Sequence, residues 1–212
     1  MIKIQRRSAV TFDCQPEEIA GRDGFQIVER YAGRKKGPLL IDLSHTPSWD
    51  IQDRNLDRFR GAGLGIPDKP GRVHRQKGMI LSLLNPTQAQ VWCLDGNAAG
   101  WDINDPHCTE ISDGQTLFAL MGPDIVSVFD TLTTLDLFRP GQDGMQLFQA
   151  PLFHIPCQIL ILDRSPDMQV ALISFPRGYG SDMAKAIFSL TQGLDLCPGG
   201  NQEFSDWLNR TM

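Results

Sequence analysis

Two stretches of this sequence follow one pattern. Residues 41 to 62 open Ile41-Asp42-Leu43-Ser44-His45 and continue from Trp49. About 69 positions later they are matched by Glu110-Ile111-Ser112-Asp113 and the run from Leu117 to Leu132. Each copy reads as an Asp/Glu-x-Ser turn, an apolar strand, a polar corner and a helix. A repeated unit of this kind restricts the chain to an α+β domain with duplicated βαβ-type halves. The halves are expected over 39–104 and 105–196, after an N-terminal segment over 1–38 and before a C-terminal helix that completes a domain ending at 212.

With 212 residues, 41% of them hydrophobic, the chain is long enough to bury a core without covalent staples. Its net charge of −5 argues against nucleic acid as a partner, since that binding rests on a surplus of Lys and Arg facing phosphates. The five cysteines are odd in number, widely spaced and without a C-x-x-C pair, which points away from a disulfide framework or structural zinc. No leader-like or membrane-spanning apolar run occurs, so the sequence predicts a cytoplasmic protein with no membrane partner.

Local patterning supplies the elements. The first forty residues are mixed, Gly-dotted and the least readable. Trp49 and Ile51 alternate with Asp50 as in a half-buried strand, and Asp53 is placed to cap a short helix carrying Leu56 and Phe59. Gly61-Ala62-Gly63-Leu64-Gly65 reads as the end of that helix. It does not read as a phosphate loop, which needs a strand before the glycines and a helix after them. Met79–Leu84 and Ala89–Leu94 flank the turn residues 85–88 as a hairpin. The polar stretch 96–106 separates the halves. Thr116–Met121 reads as a buried strand, and Ile125, Val128, Phe129 and Leu132 recur on one helix face, with Pro123 suited to the first turn. Residues 138–151 read as a loop, 155–162 and 169–175 as strands about a turn over 163–167, and Ser181 as the cap of a helix burying Met183, Ala184, Ile187 and Phe188. A last helix carries Phe204, Trp207 and Leu208.

Few residues point to chemistry. His154 with Cys157, and His107 with Cys108, have the spacing of a thiolate–imidazole pair or partial metal site, but neither has a third partner in sequence. No metal site and no catalytic residue is assigned. The basic run Arg72-Val73-His74-Arg75-Gln76-Lys77 reads as a charged strand edge that discourages aggregation. Arg177 stands between a strand and a helix start, where it suits an anion such as a carboxylate of a ligand or partner chain; the alternative is a solvated loop arginine.

Leu40-Ile41-Asp42-Leu43-Ser44-His45, and Glu110-Ile111-Ser112-Asp113 followed by Leu117 to Pro123, resemble the two repeats of the folate-binding domain of glycine cleavage T-protein-type aminomethyltransferases. The order of Leu64-Gly65-Ile66-Pro67, the hairpin from Asn85-Pro86 to Trp92, Thr134-Leu135-Asp136-Leu137 and Pro176-Arg177-Gly178-Tyr179 is closer to the gamma subunit of heterotetrameric sarcosine oxidase. The resemblance spans roughly 25–196. It implies a tetrahydrofolate-type pocket with His45, Thr46 and Ser82 at the folate-facing strand ends, and association with larger flavin-containing oxidase subunits.

Departures from the family narrow what is carried over. Where active members place an acidic residue after a Gly-Gly-Ile-Leu type strand, this chain reads Gly78-Met79-Ile80-Leu81-Ser82-Leu83, and no carboxylate occurs between Gly78 and Asp95. A serine aligns and deprotonates a reacting amine poorly at neutral pH. The family's Gly-Tyr-Thr-Gly-Glu segment corresponds to Asp163-Arg164-Ser165-Pro166-Asp167, and the 212 residues hold no counterpart of the C-terminal barrel. The expectation is therefore a noncatalytic, folate-binding-fold subunit with no tightly bound cofactor, in a folate-linked amine oxidase or demethylase. The rivals are a small stand-alone tetrahydrofolate-dependent aminomethyltransferase-like enzyme and a self-associating binding module, for which a homo-oligomer is expected.

Overall fold

The computed structural model describes residues 6–33, 36–61, 63–97, 105–139, 141 and 143–211. The N-terminal stretch, the least readable in sequence, forms a hairpin of β1 (Pro16–Arg22) and β2 (Phe25–Tyr31). Its two-residue loop, Asp23-Gly24, has φ of 49° and 84°, the left-handed pair that matches the twist of a tight hairpin. Then come β3 (Leu39–Asp42), β4 (Ser48–Gln52), the short ribbon β5 (Arg60–Gly61) and β6 (Leu64–Gly65), and the meander β7 (Val73–Gln76), β8 (Met79–Asn85) and β9 (Gln88–Cys93). Beyond Asp105 follow β10 (Cys108–Glu110), β11 (Gln115–Gly122), helix α1 (Ile125–Leu132), β12 (Gln146–Leu152), β13 (Ile155–Ser165) and β14 (Met168–Pro176). Helix α2 (Gly180–Leu190), β15 (Cys197–Gly199) and helix α3 (Asn201–Thr211) complete the chain.

The fold class is α+β. One sheet has the order β10-β4-β9-β8-β7 and the other β12-β13-β14-β11-β3-β15. Read from β3, the larger sheet runs β3-β11-β14-β13-β12, the same sequence of roles as β10-β4-β9-β8-β7. The outermost strand of each five-strand array is exchanged: β3, flanked on its far side by β15, precedes β4 in the chain yet pairs antiparallel with β11, and β10 precedes β11 yet pairs antiparallel with β4.

The sheets stack face to face. Ile41, Leu117, Met121, Leu160 and Leu172 of one meet Val73, Ile80, Leu84 and Trp92 of the other, and α3 adds Phe204, Trp207 and Leu208 to this layer. The outer face of the larger sheet is covered by α1, α2 and the N-terminal residues Val10 and Phe12. The outer face of the smaller sheet is covered by Leu56, Phe59 and Leu64. On α1 the four residues read from the sequence as its inner face are all buried, each contributing roughly 1.5–3 kcal/mol relative to exposure.

Several expectations are corrected. The helix after Asp53 is only a 3-10 turn, Leu56–Arg58; Asp53 Oδ1 instead accepts a hydrogen bond from the Asn55 backbone N–H at 2.8 Å, an Asx turn that competes with helix propagation. The glycine stretch at 61–65 is the β5–β6 ribbon, not a helix end; Ala62 lies outside the described residues. The loop expected over 138–151 contains most of β12. β13 and β14 extend to Ser165 and from Met168, so the turn between them is Pro166-Asp167. Pro123 stands before the α1 cap, Asp124, rather than in the first turn. Ser181 is inside α2, which a 3-10 turn over Arg177–Tyr179 feeds directly. The first residue of the helix is a glycine because a Cβ on Gly180 would meet Thr116 Oγ1 at 2.9 Å. Phe188 is only half-buried. The separating stretch expected at 96–106 falls largely on 98–104, outside the described residues.

Candidate functional site

The turn between β3 and β4 is built around Asp42. Its Oδ1 accepts from the Ser44 backbone N–H at 3.0 Å and from Ser44 Oγ at 2.6 Å. Thr46 N–H donates to the Leu43 carbonyl at 2.8 Å, closing the turn. Ser44 Oγ in turn accepts from Leu117 N–H at 3.3 Å, while Leu43 N–H donates to the Leu117 carbonyl at 2.8 Å. The second copy makes the same exchange. Ser112 Oγ donates to Glu110 Oε1 at 3.0 Å and accepts from Ser48 N–H at 3.0 Å, and Ile111 N–H donates to the Ser48 carbonyl at 2.9 Å. The Asp/Glu-x-Ser repeat thus fastens each exchanged edge strand to the other half.

His45 and Asp42 line a small cavity with Ser8, Val10, Phe12 and Tyr31. Burial, with Arg22 nearby, lowers the His45 pKa to about 4, so the imidazole is neutral at physiological pH. Burial raises the Asp42 carboxyl, an effect opposed by hydrogen bonds from Ser44 and Ser8 and by the charge of Arg177. Burial, reinforced by the Asp42 charge, pushes Tyr31 up to about 12. The cavity measures about 70 Å³, room for a few waters, whereas small-molecule pockets run to roughly 300–1,000 Å³.

The residues singled out from sequence do not converge. Thr46 is buried in the turn beside His45. Ser82 lies on β8 on the face turned toward the other sheet, wholly buried, its Oγ 3.5 Å from the Gln90 carbonyl, and it does not line the cavity at His45. Arg177 reaches back to donate to the Arg7 carbonyl, and its charge acts on Asp42. Its Nη1 is buried without a hydrogen-bond partner among the described residues. The guanidinium therefore serves the chain's own N-terminal segment and carboxylate.

The two His–Cys spacings also dissolve. Cys157 is buried, its thiol pushed up to about 11 and donating to the Ile155 carbonyl, while His154 occupies the tight turn between β12 and β13 at φ 67°. His107 belongs to a surface cluster that sequence reasoning missed. Arg58 contacts Asp53 at 2.7 Å and Asp105 at 3.3 Å, and His107 Nδ1 lies 3.0 Å from Asp105 Oδ1. The backbone N–H groups of Asn55 and His107, together with Arg58, hold the Asp53 and Asp105 carboxyls below their usual range. The basic run over 72–77 includes β7, the edge of the smaller sheet, as expected. Arg75 leaves that edge to stack on Trp207 and donate to Thr211 Oγ1 at 3.0 Å, so it pins α3.

This double-sheet α+β arrangement is shared with solved structures of other proteins. The chain is similar over 85% of its length, and over 90% of the other chain, to a chain of heterotetrameric sarcosine oxidase from Corynebacterium sp. U-96 solved with pyrrole 2-carboxylate, at 16% identity and TM-score 0.59. It is similar over 87% of its length to glycine cleavage system aminomethyltransferase T from Bartonella henselae, at 15% identity and TM-score 0.56, and spans 56% of that chain. At these identities the likeness is one of fold. No protein-family model and no curated protein matches the sequence. No helix among the described residues is long and apolar enough to cross a membrane.

Proposed function

We propose that this chain is a noncatalytic subunit of a heteromeric, folate-linked amine oxidase or demethylase, in the manner of the sarcosine oxidase gamma subunit. The observation that carries the reading is the match over nine-tenths of a chain of similar length drawn from a heterotetrameric sarcosine oxidase, against little more than half of the aminomethyltransferase. Two features of the interior support it. The cavity beside His45 is about 70 Å³, walled by Phe12 and Tyr31, and Ser82 stands without a carboxylate where the aminomethyltransferase resemblance implies one. On this reading His45, Thr46 and Ser82 keep inherited positions without a folate, and Arg177 stabilises Asp42 and the N-terminal segment.

The same reading takes the halves 39–104 and 105–196 as products of a duplication. Support comes from the matching strand orders, the exchanged edge strands and the reciprocal Ser44–Leu117 and Ser112–Ser48 hydrogen bonds. What diverged between the copies is the cover of each sheet, α1 on one and a 3-10 turn with the β5–β6 ribbon on the other.

Affinity capture of the tagged full chain from its native host tests the proposal. Copurification of larger flavin-containing chains in fixed stoichiometry is expected. A chain that purifies alone, binds tetrahydrofolate tightly and consumes an N-methyl or aminomethyl donor would overturn it.

A further inference from the structure

A second concavity lies away from the cavity at His45. It measures about 530 Å³ and is lined by Gln115, Gln149, Gln158 and Ser174, one residue from each of β11, β12, β13 and β14. The alternation of each strand places all four on the face turned toward the smaller sheet, in line with Leu117, Leu147, Leu160 and Leu172. In the middle of the sandwich that face is apolar, and toward this end it changes to amides. Gln149 Nε2 donates to the Leu84 carbonyl at 2.9 Å, tying the cleft's wall to β8 of the other sheet.

The chemistry of the lining is specific. None of its ten residues carries a charge. A charged ligand would lose hydration here with no counter-charge to offset it, whereas a neutral polar one meets matched donors and acceptors. Gln158 Oε1 is buried with no hydrogen-bond partner among the described residues, an acceptor waiting for an N–H. Gln115 Oε1 accepts from Ser174 Oγ at 3.1 Å, which leaves that amide its N–H groups to donate. An acceptor from Gln158, with a donor from Gln115, complements a group that presents N–H and C=O on one edge.

We infer that this amide-lined cleft binds a small neutral cyclic amide, a lactam or ureide ring whose N–H donates to Gln158 Oε1 and whose carbonyl accepts from Gln115. The volume lies within the range of small-molecule sites, and the inference does not depend on the subunit assignment.

Titration of the full-length, ¹⁵N-labelled chain with 5,6-dihydrouracil, followed by NMR, tests it. Saturable shifts are expected at the side-chain amides of Gln115 and Gln158 and the backbone signal of Ser174, with none near His45. The 1,3-dimethyl analogue keeps the ring but lacks both N–H groups and should not compete. Gln158→Met should weaken binding about tenfold with the urea midpoint unchanged or raised; Gln115→Met serves in its place if that variant does not fold. The absence of saturable shifts up to the probe's solubility limit, equal binding of the dimethyl analogue, or undiminished binding in the folded variant would each overturn the inference.

Discussion

Ser44 is a small side chain with two tasks, since its hydroxyl donates to Asp42 and accepts from Leu117 N–H. Ser44→Ala leaves a buried backbone N–H and a buried carboxylate each short of a partner, which should cost about 1–3 kcal/mol. Ser112→Ala leaves the buried Ser48 N–H without its acceptor but frees only the exposed Glu110, so it should cost less, about 1 kcal/mol. Urea unfolding of the two variants checks both. His45 makes stability depend on pH. Its pKa is about 4 in the fold against an ordinary 6.5, so as pH falls the unfolded chain takes the proton first. The contribution is fully present above about pH 6.5 and is lost progressively as pH falls toward 4. Asp42 works in the opposite sense, because its raised carboxyl favours the fold as the pH drops through its titration. His45→Gln isolates the first effect: urea midpoints measured from pH 7 to 4 should fall less steeply in the variant than in the parent chain.

At the level of elements, α3 shows how a sequence pattern and its consequence differ. Phe204, Trp207 and Leu208 announce an amphipathic helix, but nothing in their spacing says that it seals one end of the space between the sheets. The seal depends on distant partners. Trp207 Nε1 lies 3.3 Å from Asp163 Oδ2, Arg75 stacks on the indole, and Asn201 Nδ2 donates to the buried Glu29 of β2 at 2.8 Å. Trp207→Ala should destabilise the chain by about 3–5 kcal/mol, and Trp207→Phe by less, since it keeps most of the buried area and loses only the polar anchor. Thermal and urea unfolding distinguish the two. The same divide runs through the rest of the chain. α1, the β8–β9 hairpin and β11 were legible because burial on one face writes a period directly into the sequence. The β1–β2 hairpin carries a local signal too, Asp23-Gly24 and the alternation Phe25, Ile27, Glu29, Tyr31, which the mixed, Gly-dotted composition of the first forty residues obscures. The helix expected after Asp53 failed for a local reason, the Asx turn at Asn55. The four residues of the amide-lined cleft come from four strands between positions 115 and 174, and no local pattern collects them.

Across the whole molecule, the exchange of β3 and β10 has a consequence for folding. Each five-strand array takes its edge strand from the other half, so neither half contains a complete sheet. A fragment holding β4 to β9 lacks β10 and exposes the face that Leu117, Leu160 and Leu172 should cover; a fragment holding β11 to β14 lacks β3 and loses Ile41 from the same layer. Long-range pairing of this kind closes large loops before any sheet is whole, which favours cooperative folding of both halves together. Separate expression of 1–97 and 105–212 should therefore yield two fragments without fixed near-ultraviolet dichroism. Mixed or co-expressed, they should form a one-to-one complex with native-like dichroism, because the exchanged strands and the inter-sheet layer supply the interface. Fragments that each fold alone to a stable monomer would show that the edge strands contribute little, and that each half carries its own core.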